Sequence, residues 1–214
     1  MRVLAIAVAL GLAAAPAASQ VPGIPVFNSG VTNGLMAAVD VGFPGDDAGS
    51  GTAFAGTLSY GMSRLMLTGT LASWSPDGGD AIVALGGTGN LHLLGGPLSP
   101  LSVTLQAGIA GWSQDVGTEE VSVTHVPVGV GVGLLIPSPA VALKPWIAPR
   151  LDLVKTDLVP ADDWQSNFGL SAGLDLAFVG GFGLRAAYDY VEADNARPST
   201  FSVGVNYVFN VAGL

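Results

Sequence analysis

From position 121 to 143 the chain reads VSVTHVPVGVGVGLLIPSPAVAL, without one Asp, Glu, Lys or Arg. Residues 81–114 are equally free of charge. Apolar stretches of this length invite a membrane helix, but the residues forbid one. Pro127, Pro137 and Pro139 stand among Gly129, Gly131 and Gly133. In a helix interior each Gly costs about 1 kcal/mol and each Pro about 3 kcal/mol relative to Ala. The periodicity is also two, where a helix needs 3.6. Val126, Val128, Val130, Val132 and Leu134 share one parity; His125, Pro127, Gly129, Gly131 and Gly133 share the other. Neighbouring side chains of a strand point to opposite faces, so this is a strand with one apolar and one tiny or polar face.

The pattern recurs. Phe168, Leu170, Ala172, Leu174, Leu176 and Phe178 alternate with Asn167, Gly169, Ser171, Gly173, Asp175 and Ala177. Phe201, Val203, Val205, Tyr207 and Phe209 alternate with Ser202, Gly204, Asn206 and Val208. Ten strands are expected, at 34–43, 52–60, 64–74, 81–94, 101–112, 121–135, 141–154, 165–178, 182–191 and 200–209. Most have the roughly 9 to 11 residues that a tilted membrane strand needs. Eight is the alternative, if the break at Gly61-Met62-Ser63 is false or an end strand lies outside the sheet.

The connections alternate between two kinds. Short uncharged turns stand at Gly61-Met62-Ser63, Gly95-Gly96-Pro97, Pro137-Ser138-Pro139 and Gly180-Gly181. Longer acidic loops carry Asp46 and Asp47, Asp77 and Asp80, Asp115, Glu119 and Glu120, Asp157, Asp162 and Asp163, and Glu192 and Asp194. An up-and-down antiparallel barrel puts one kind at each rim, and outer-membrane barrels have short periplasmic turns and longer extracellular loops. The expected fold is therefore an all-β, antiparallel, up-and-down transmembrane β-barrel.

The remaining acids, Asp40, Asp152, Asp175 and Asp189, fall on inward positions, as do Arg64, Arg150 and Arg185. These seven are expected to form a polar network in the lumen. Much of the rest of the inward face is Gly, Ala, Ser and Thr. A barrel of eight to ten strands fills its interior with side chains, so no wide pore is expected. Tyr60, Trp74, Trp112, Trp146, Trp164, Tyr188, Tyr190 and Tyr207 lie at or near strand ends, which suggests aromatic girdles at the membrane interfaces.

Composition narrows the functional classes. Only 11% of residues are charged, against about 25% in a soluble domain. The formal net charge is −9, which argues against nucleic acid as a partner, because phosphates need clustered Lys and Arg. With no cysteine, disulfides, thiolate metal sites and Cys nucleophiles are excluded. No cofactor is expected. Met1-Arg2, an apolar run from Val3 to Ala15 and small residues at Ala17 and Ser19 read as a secretory signal peptide over residues 1–19. That leaves 20–214 as a single barrel domain.

These features resemble the small bacterial outer-membrane β-barrels of the OmpA/OmpX and OmpW kind. The resemblance covers nearly the whole chain after the signal peptide, in pattern and class. It implies residence in the outer membrane and contact with outer-membrane lipid. It also implies that the barrel assembly machinery reads the last strand, with Tyr207 and Phe209 as its aromatic signal. In this chain residues 210–214 follow that signal, whereas family members often end on the aromatic.

Three further features could form sites. Gly129-x-Gly131-x-Gly133 lies inside a strand, whereas a dinucleotide loop must open a helix, so inward glycines making room is the preferred reading. The acidic pairs Asp46-Asp47 and Asp162-Asp163 lack a spaced calcium loop. His125 has inward parity near the acidic-loop rim, where a hydrolase would place it. Ser122, however, faces the other way, and His92 lies toward the opposite rim. The leading expectation is a non-enzymatic outer-membrane protein with a narrow plugged lumen, structural or interacting through its acidic loops with an unidentified extracellular ligand. The alternatives are a narrow channel for small solutes, a rim hydrolase using His125, and a soluble secreted β-sandwich.

Overall fold

The structure is a computed structural model. It describes residues 21–95, 99–116, 119–157, 164–193 and 196–209. The expected signal peptide, Asp162, Asp163, Asp194 and the tail after Phe209 lie outside them.

Ten antiparallel strands form one closed barrel. They are β1 (Gly34–Pro44), β2 (Thr52–Met62), β3 (Leu65–Ser75), β4 (Ile82–Leu94) and β5 (Leu101–Val116). They continue with β6 (Glu119–Leu134), β7 (Val141–Thr156), β8 (Gln165–Phe178), β9 (Phe182–Glu192) and β10 (Ser199–Phe209). Each strand pairs with its sequence neighbours, and β1 pairs with β10 to close the ring, with Val39 opposite Val205. Closure leaves no second sheet for a sandwich. The count is ten because β2 and β3 are separate strands. Met62 pairs with Leu65 around Ser63-Arg64, and Ser63 takes a positive φ of 51°. A two-residue hairpin needs such a φ for its twist to match the strands.

The alternation read from sequence sets the faces. Val39, Phe54, Leu58, Leu67, Leu71, Leu85, Ile109 and Leu151 point outward and are exposed. A continuous exposed apolar belt is costly in water and stabilising in hydrocarbon. Inward positions hold small and polar residues on the turn side. Near the loop rim they hold an apolar cluster that includes Ala53, Ala72, Trp74, Ala84, Trp112, Val121, Val123 and Val154.

Two expectations are corrected here. Asp115, Glu119 and Glu120 are not in a loop: β5 runs to Val116 and β6 begins at Glu119, with Asp115 paired opposite Glu120. Those acids therefore sit on a hairpin that extends past the apolar belt. Arg64 is exposed in the β2–β3 turn rather than in the lumen, because β3 starts one residue later than expected.

Val39 lies midway along β1, between Val205 and Gly56. Val39→Arg places a charge against the hydrocarbon midplane and is expected to destabilise the barrel by about 2–4 kcal/mol. Urea unfolding of protein refolded in lipid vesicles measures this, with Asp77→Asn in a loop as the unaffected control.

Candidate functional site in the barrel lumen

The lumen is occupied by the chain's own residues 21–33. This segment runs from the loop rim to the turn rim and then enters β1. At the loop rim Gly23 lies against Pro44, Ala53 and Trp74. Midway, Gln106 Nε2 donates to the Phe27 carbonyl at 2.7 Å, and Asn90 Nδ2 donates to Asn28 Oδ1 at 3.1 Å. Near the turn rim Gly30 lies beside Lys144, His92 and Ser102, and the Thr32 carbonyl reaches Gly61. Val21, Ile24, Val26 and Asn28 are all buried. The barrel wall makes room with glycine: a methyl at Gly131 would strike Asn28, and one at Gly42 would strike the Gly23 carbonyl.

Two charge clusters lie buried in the same lumen. In the first, Arg150 bridges two strands. Its Nη1 and Nη2 donate to Asp189 Oδ1 and Oδ2 at 2.6 and 3.0 Å, and its Nε donates to Asp152 Oδ1 at 2.9 Å. Ser171 Oγ donates to Asp189 Oδ1 at 2.7 Å and accepts from Arg150 Nη1 at 2.5 Å. His125 Nε2 lies 2.8 Å from Asp152 Oδ1. In the second, Arg185 forks onto Asp40, with Nε donating to Oδ1 at 2.7 Å and Nη2 to Oδ2. Its Nη2 also donates to Thr57 Oγ1 at 3.0 Å. The same guanidinium lies 4.2 Å above the centre of the Phe27 ring. Arg185 therefore links β1, β2 and β9 to the luminal segment by ion pair, hydrogen bond and cation–π contact.

The cross-strand register explains the second cluster. Lys144 stands opposite Asp175, Asp175 opposite Arg185, Arg185 opposite Gly204, and Gly204 opposite Asp40. Charges of alternating sign therefore follow one another across neighbouring strands from β7 to β1, and Gly204 leaves the gap that Asp40 fills. Lys144, Asn90, Gln106 and the luminal segment itself were not singled out from sequence. Asn90, Gln106 and Lys144 have inward parity, and that was the available signal.

Of the expected network, the structure places Asp40, Arg150, Asp152, Arg185 and Asp189 in these two clusters. Asp175 stands beside Arg185 and Lys144, and Arg64 is outside. The expected aromatic girdle is corrected at three positions. Trp74, Trp112 and Trp146 are 3%, 5% and 4% exposed and face the lumen. They share the parity of Ala72, Ala110 and Ala148, which are buried. Trp74 Nε1 donates to the Ser50 carbonyl, and Trp146 packs on Phe27 with centroids 6.1 Å apart. Tyr60, Tyr188 and Tyr207 are exposed on the outer face. Tyr190 shares that face, half-buried, and Trp164 is exposed just before β8.

At the loop rim Asp46 and Asp47 lie in a short 3-10 helix (Asp46–Ala48). Asp47 accepts from the Arg197 backbone N–H at 2.9 Å and Asp157 from that of Ser122 at 2.8 Å. Asp77 and Asp80 are exposed in the β3–β4 loop, and Glu192 ends β9. Among the described residues no three His, Asp or Glu side chains gather to hold a metal ion.

Breaking a buried ion pair from one side leaves an uncompensated charge, at a cost of about 3–5 kcal/mol. Arg150→Met is expected to destabilise by that amount, because Asp152 and Asp189 both lose their cation. Adding Asp189→Asn to it should recover part of the loss. A double-mutant cycle of urea midpoints checks the coupling.

A family model described as outer membrane protein beta-barrel domain matches residues 4–209. No curated protein matches the chain. Among solved structures, the β domain of the Bordetella autotransporter BrkA aligns with a TM-score of 0.54 at 15% identity, covering 82% of this chain and 99% of that one. The N-terminal barrel of Pseudomonas aeruginosa OprF aligns at 0.43 and 13% identity, covering 84% and 99%. The Escherichia coli outer membrane protease OmpT aligns at 0.41 and 7% identity, covering 83% and 94%. The likeness to the BrkA domain is one of fold. The family match spans nearly the whole chain and agrees with the closed barrel and its apolar belt: the protein belongs to the outer membrane protein β-barrel domain family, and its place is the outer membrane.

Proposed function

We propose that this protein is a non-enzymatic outer-membrane barrel, closed by its own N-terminal segment, that acts through its acidic loops. The observation that carries the reading is the course of residues 21–33 through the lumen, held by Gln106, Asn90 and the Arg185–Phe27 stack. The segment, the two charge clusters and the apolar cluster at the loop rim together occupy much of the space through which solute would pass, leaving a cavity of about 50 Å³ beside Phe27, Asn90 and Arg185. In this reading residues 1–19 direct export and are removed. The barrel assembly machinery engages β10 through Tyr207 and Phe209, and lipid surrounds the outer belt.

Two features weigh against hydrolysis at His125. The side chain is wholly buried and its Nε2 is engaged by Asp152. The hydroxyl of its cluster, Ser171, is bound to Asp189 and Arg150. A base without access to substrate orients a structural network; it does not abstract a proton from a ligand.

In planar bilayers the full barrel is expected to carry no steady current, whereas a variant lacking residues 22–31 should conduct. A steady ohmic current through the unaltered protein would sink the closed-lumen reading. Because the chain has no cysteine, orientation is open to labelling. Asp77→Cys should react with an impermeant maleimide on intact cells, and Ser63→Cys only after the outer membrane is permeabilised. The opposite pattern would reverse the loops-outward orientation.

A further inference from the structure

We propose that the turn-side mouth of the barrel is a binding site for a small oxyanion, a phosphate or carboxylate group, held by Lys144 and His92 with Arg64 at the rim. A cavity of about 180 Å³ opens there, lined in part by Asn33, Ser63, His92, Ser99, Ser102 and Lys144. A water occupies about 30 Å³ in the liquid, so the space takes several waters or one small anion. Among the described residues none that lines it is acidic, in a chain with 16 acids and 7 Lys and Arg.

Lys144 Nζ, His92 Nε2 and Ser102 Oγ gather over the Gly30 backbone, beside the cavity that their residues line. The point where a Gly30 side chain would begin is 2.9 Å from Lys144 Nζ, 3.5 Å from His92 Nε2 and 3.6 Å from Ser102 Oγ. Gly30, at a φ of 111°, is the residue that lets the luminal segment pass beneath them. The His92 Nε2 atom is buried and has no hydrogen-bond partner among the described residues. Burying a polar nitrogen without a partner is unfavourable unless something supplies one. Lys144 stands opposite Asp175 across the β7–β8 ladder and feels its charge, but makes no close ion pair among the described residues. Asp175 also faces Arg185 on its other side. Arg64 is tied to the site by its carbonyl, which accepts from the His92 backbone N–H at 2.8 Å. His92 lies in the positive field of both Lys144 and Arg64. An ammonium, an imidazole and a hydroxyl around one opening can together donate to the several oxygens of a phosphate or carboxylate, and each charge-assisted bond is stronger than a neutral one.

The proposal does not depend on whether the lumen conducts. The mouth lies at the short-turn rim, which faces the periplasm in outer-membrane barrels. The group could arrive as a free anion or on a phospholipid headgroup.

The test is a titration of the full barrel in uncharged detergent with inorganic phosphate, at ionic strength fixed with chloride, followed by imidazole nitrogen resonances. The chain has two histidines, so His125 in the far cluster is an internal reference. His92 should shift saturably while His125 does not. Lys144→Met should weaken the response about tenfold, the loss of one charge-assisted bond. Arg64→Ala, in an exposed turn that tolerates change, should weaken it several-fold in a barrel that still shifts mobility on boiling. Acetate in place of phosphate tells whether a carboxylate suffices. In phosphatidylglycerol nanodiscs, loss of the free-phosphate response assigns the site to a lipid phosphate, and its persistence assigns it to a soluble anion. No saturable shift of His92 with either anion, equal shifts of both histidines, or a response unchanged in both variants would overturn the proposal.

Discussion

Hydrocarbon offers no hydrogen bond to an unpaired N–H or C=O, so a sheet in a membrane has no tolerable edge. The ladder between β1 and β10 removes that edge, pairing ten residues from Leu35 with Phe209 to Pro44 with Thr200. The rest of the structure follows from this closure. It fixes the strand count at an even number, which returns both ends of the sheet to the turn side. It also turns one face of every strand toward an enclosed space. That space is too wide to be filled by the small residues lining much of it and too narrow to be left as bulk water at no cost to packing.

The chain fills the interior in three layers. Near the loops, Trp74, Trp112 and several valines make an apolar layer. Below it lie the arginine clusters, and nearer the turns a hydrophilic region where Asn90, Gln106 and threonines meet the luminal segment. The arginines stabilise this arrangement only because each fork is met by a carboxylate and its remaining donors are taken by Ser171 or Thr57. An unmet guanidinium in the same place would cost several kcal/mol. Lysine could not substitute, since a point charge cannot hold Asp189 through two oxygens while reaching Asp152 with a third donor. The clusters therefore specify register as well as stability: a one-residue slip of β9 would turn Arg185 and Asp189 into lipid.

The strands, their faces and the segregation of short turns from acidic loops were legible because period-two alternation is a direct image of the lipid–lumen boundary. The charges at Asp40, Arg150, Asp152, Arg185 and Asp189 could be placed by parity alone. The three inward tryptophans were legible by the same parity. Trp74 follows Ala72 and Thr70, yet residue type and strand-end position suggested the membrane interface instead. The β5–β6 hairpin was read too short because above the membrane its outward residues need not be apolar, so the alternation fades while the ladder continues through Ser113 opposite Ser122. Arg64 depended on a one-residue turn boundary, which composition does not fix.

The luminal segment left a weaker trace. Residues 20–33 carry no charge and no periodicity, and Pro22, Gly23, Pro25 and Gly30 read as a linker. The clue was a deficit on the other side: an inward face so rich in Gly, Ala, Ser and Thr encloses more volume than its own side chains occupy. Inside a barrel the same prolines become an advantage. Every strand around the segment already has its backbone groups committed to the ladder, so an N–H entering the lumen must find a side-chain acceptor or one within the segment, as Ile24 does at the Val21 carbonyl. Pro22 and Pro25 bring no N–H at all. Where the segment does present a carbonyl, at Phe27, an amide from Gln106 meets it. Asn28 turns its side chain to Asn90 and fits where Gly131 has none. A proline-interrupted, uncharged peptide facing a wall of tiny residues and amides is what a sealed interior accepts, and it is the part of this chain whose role becomes visible only once the ring is closed around it.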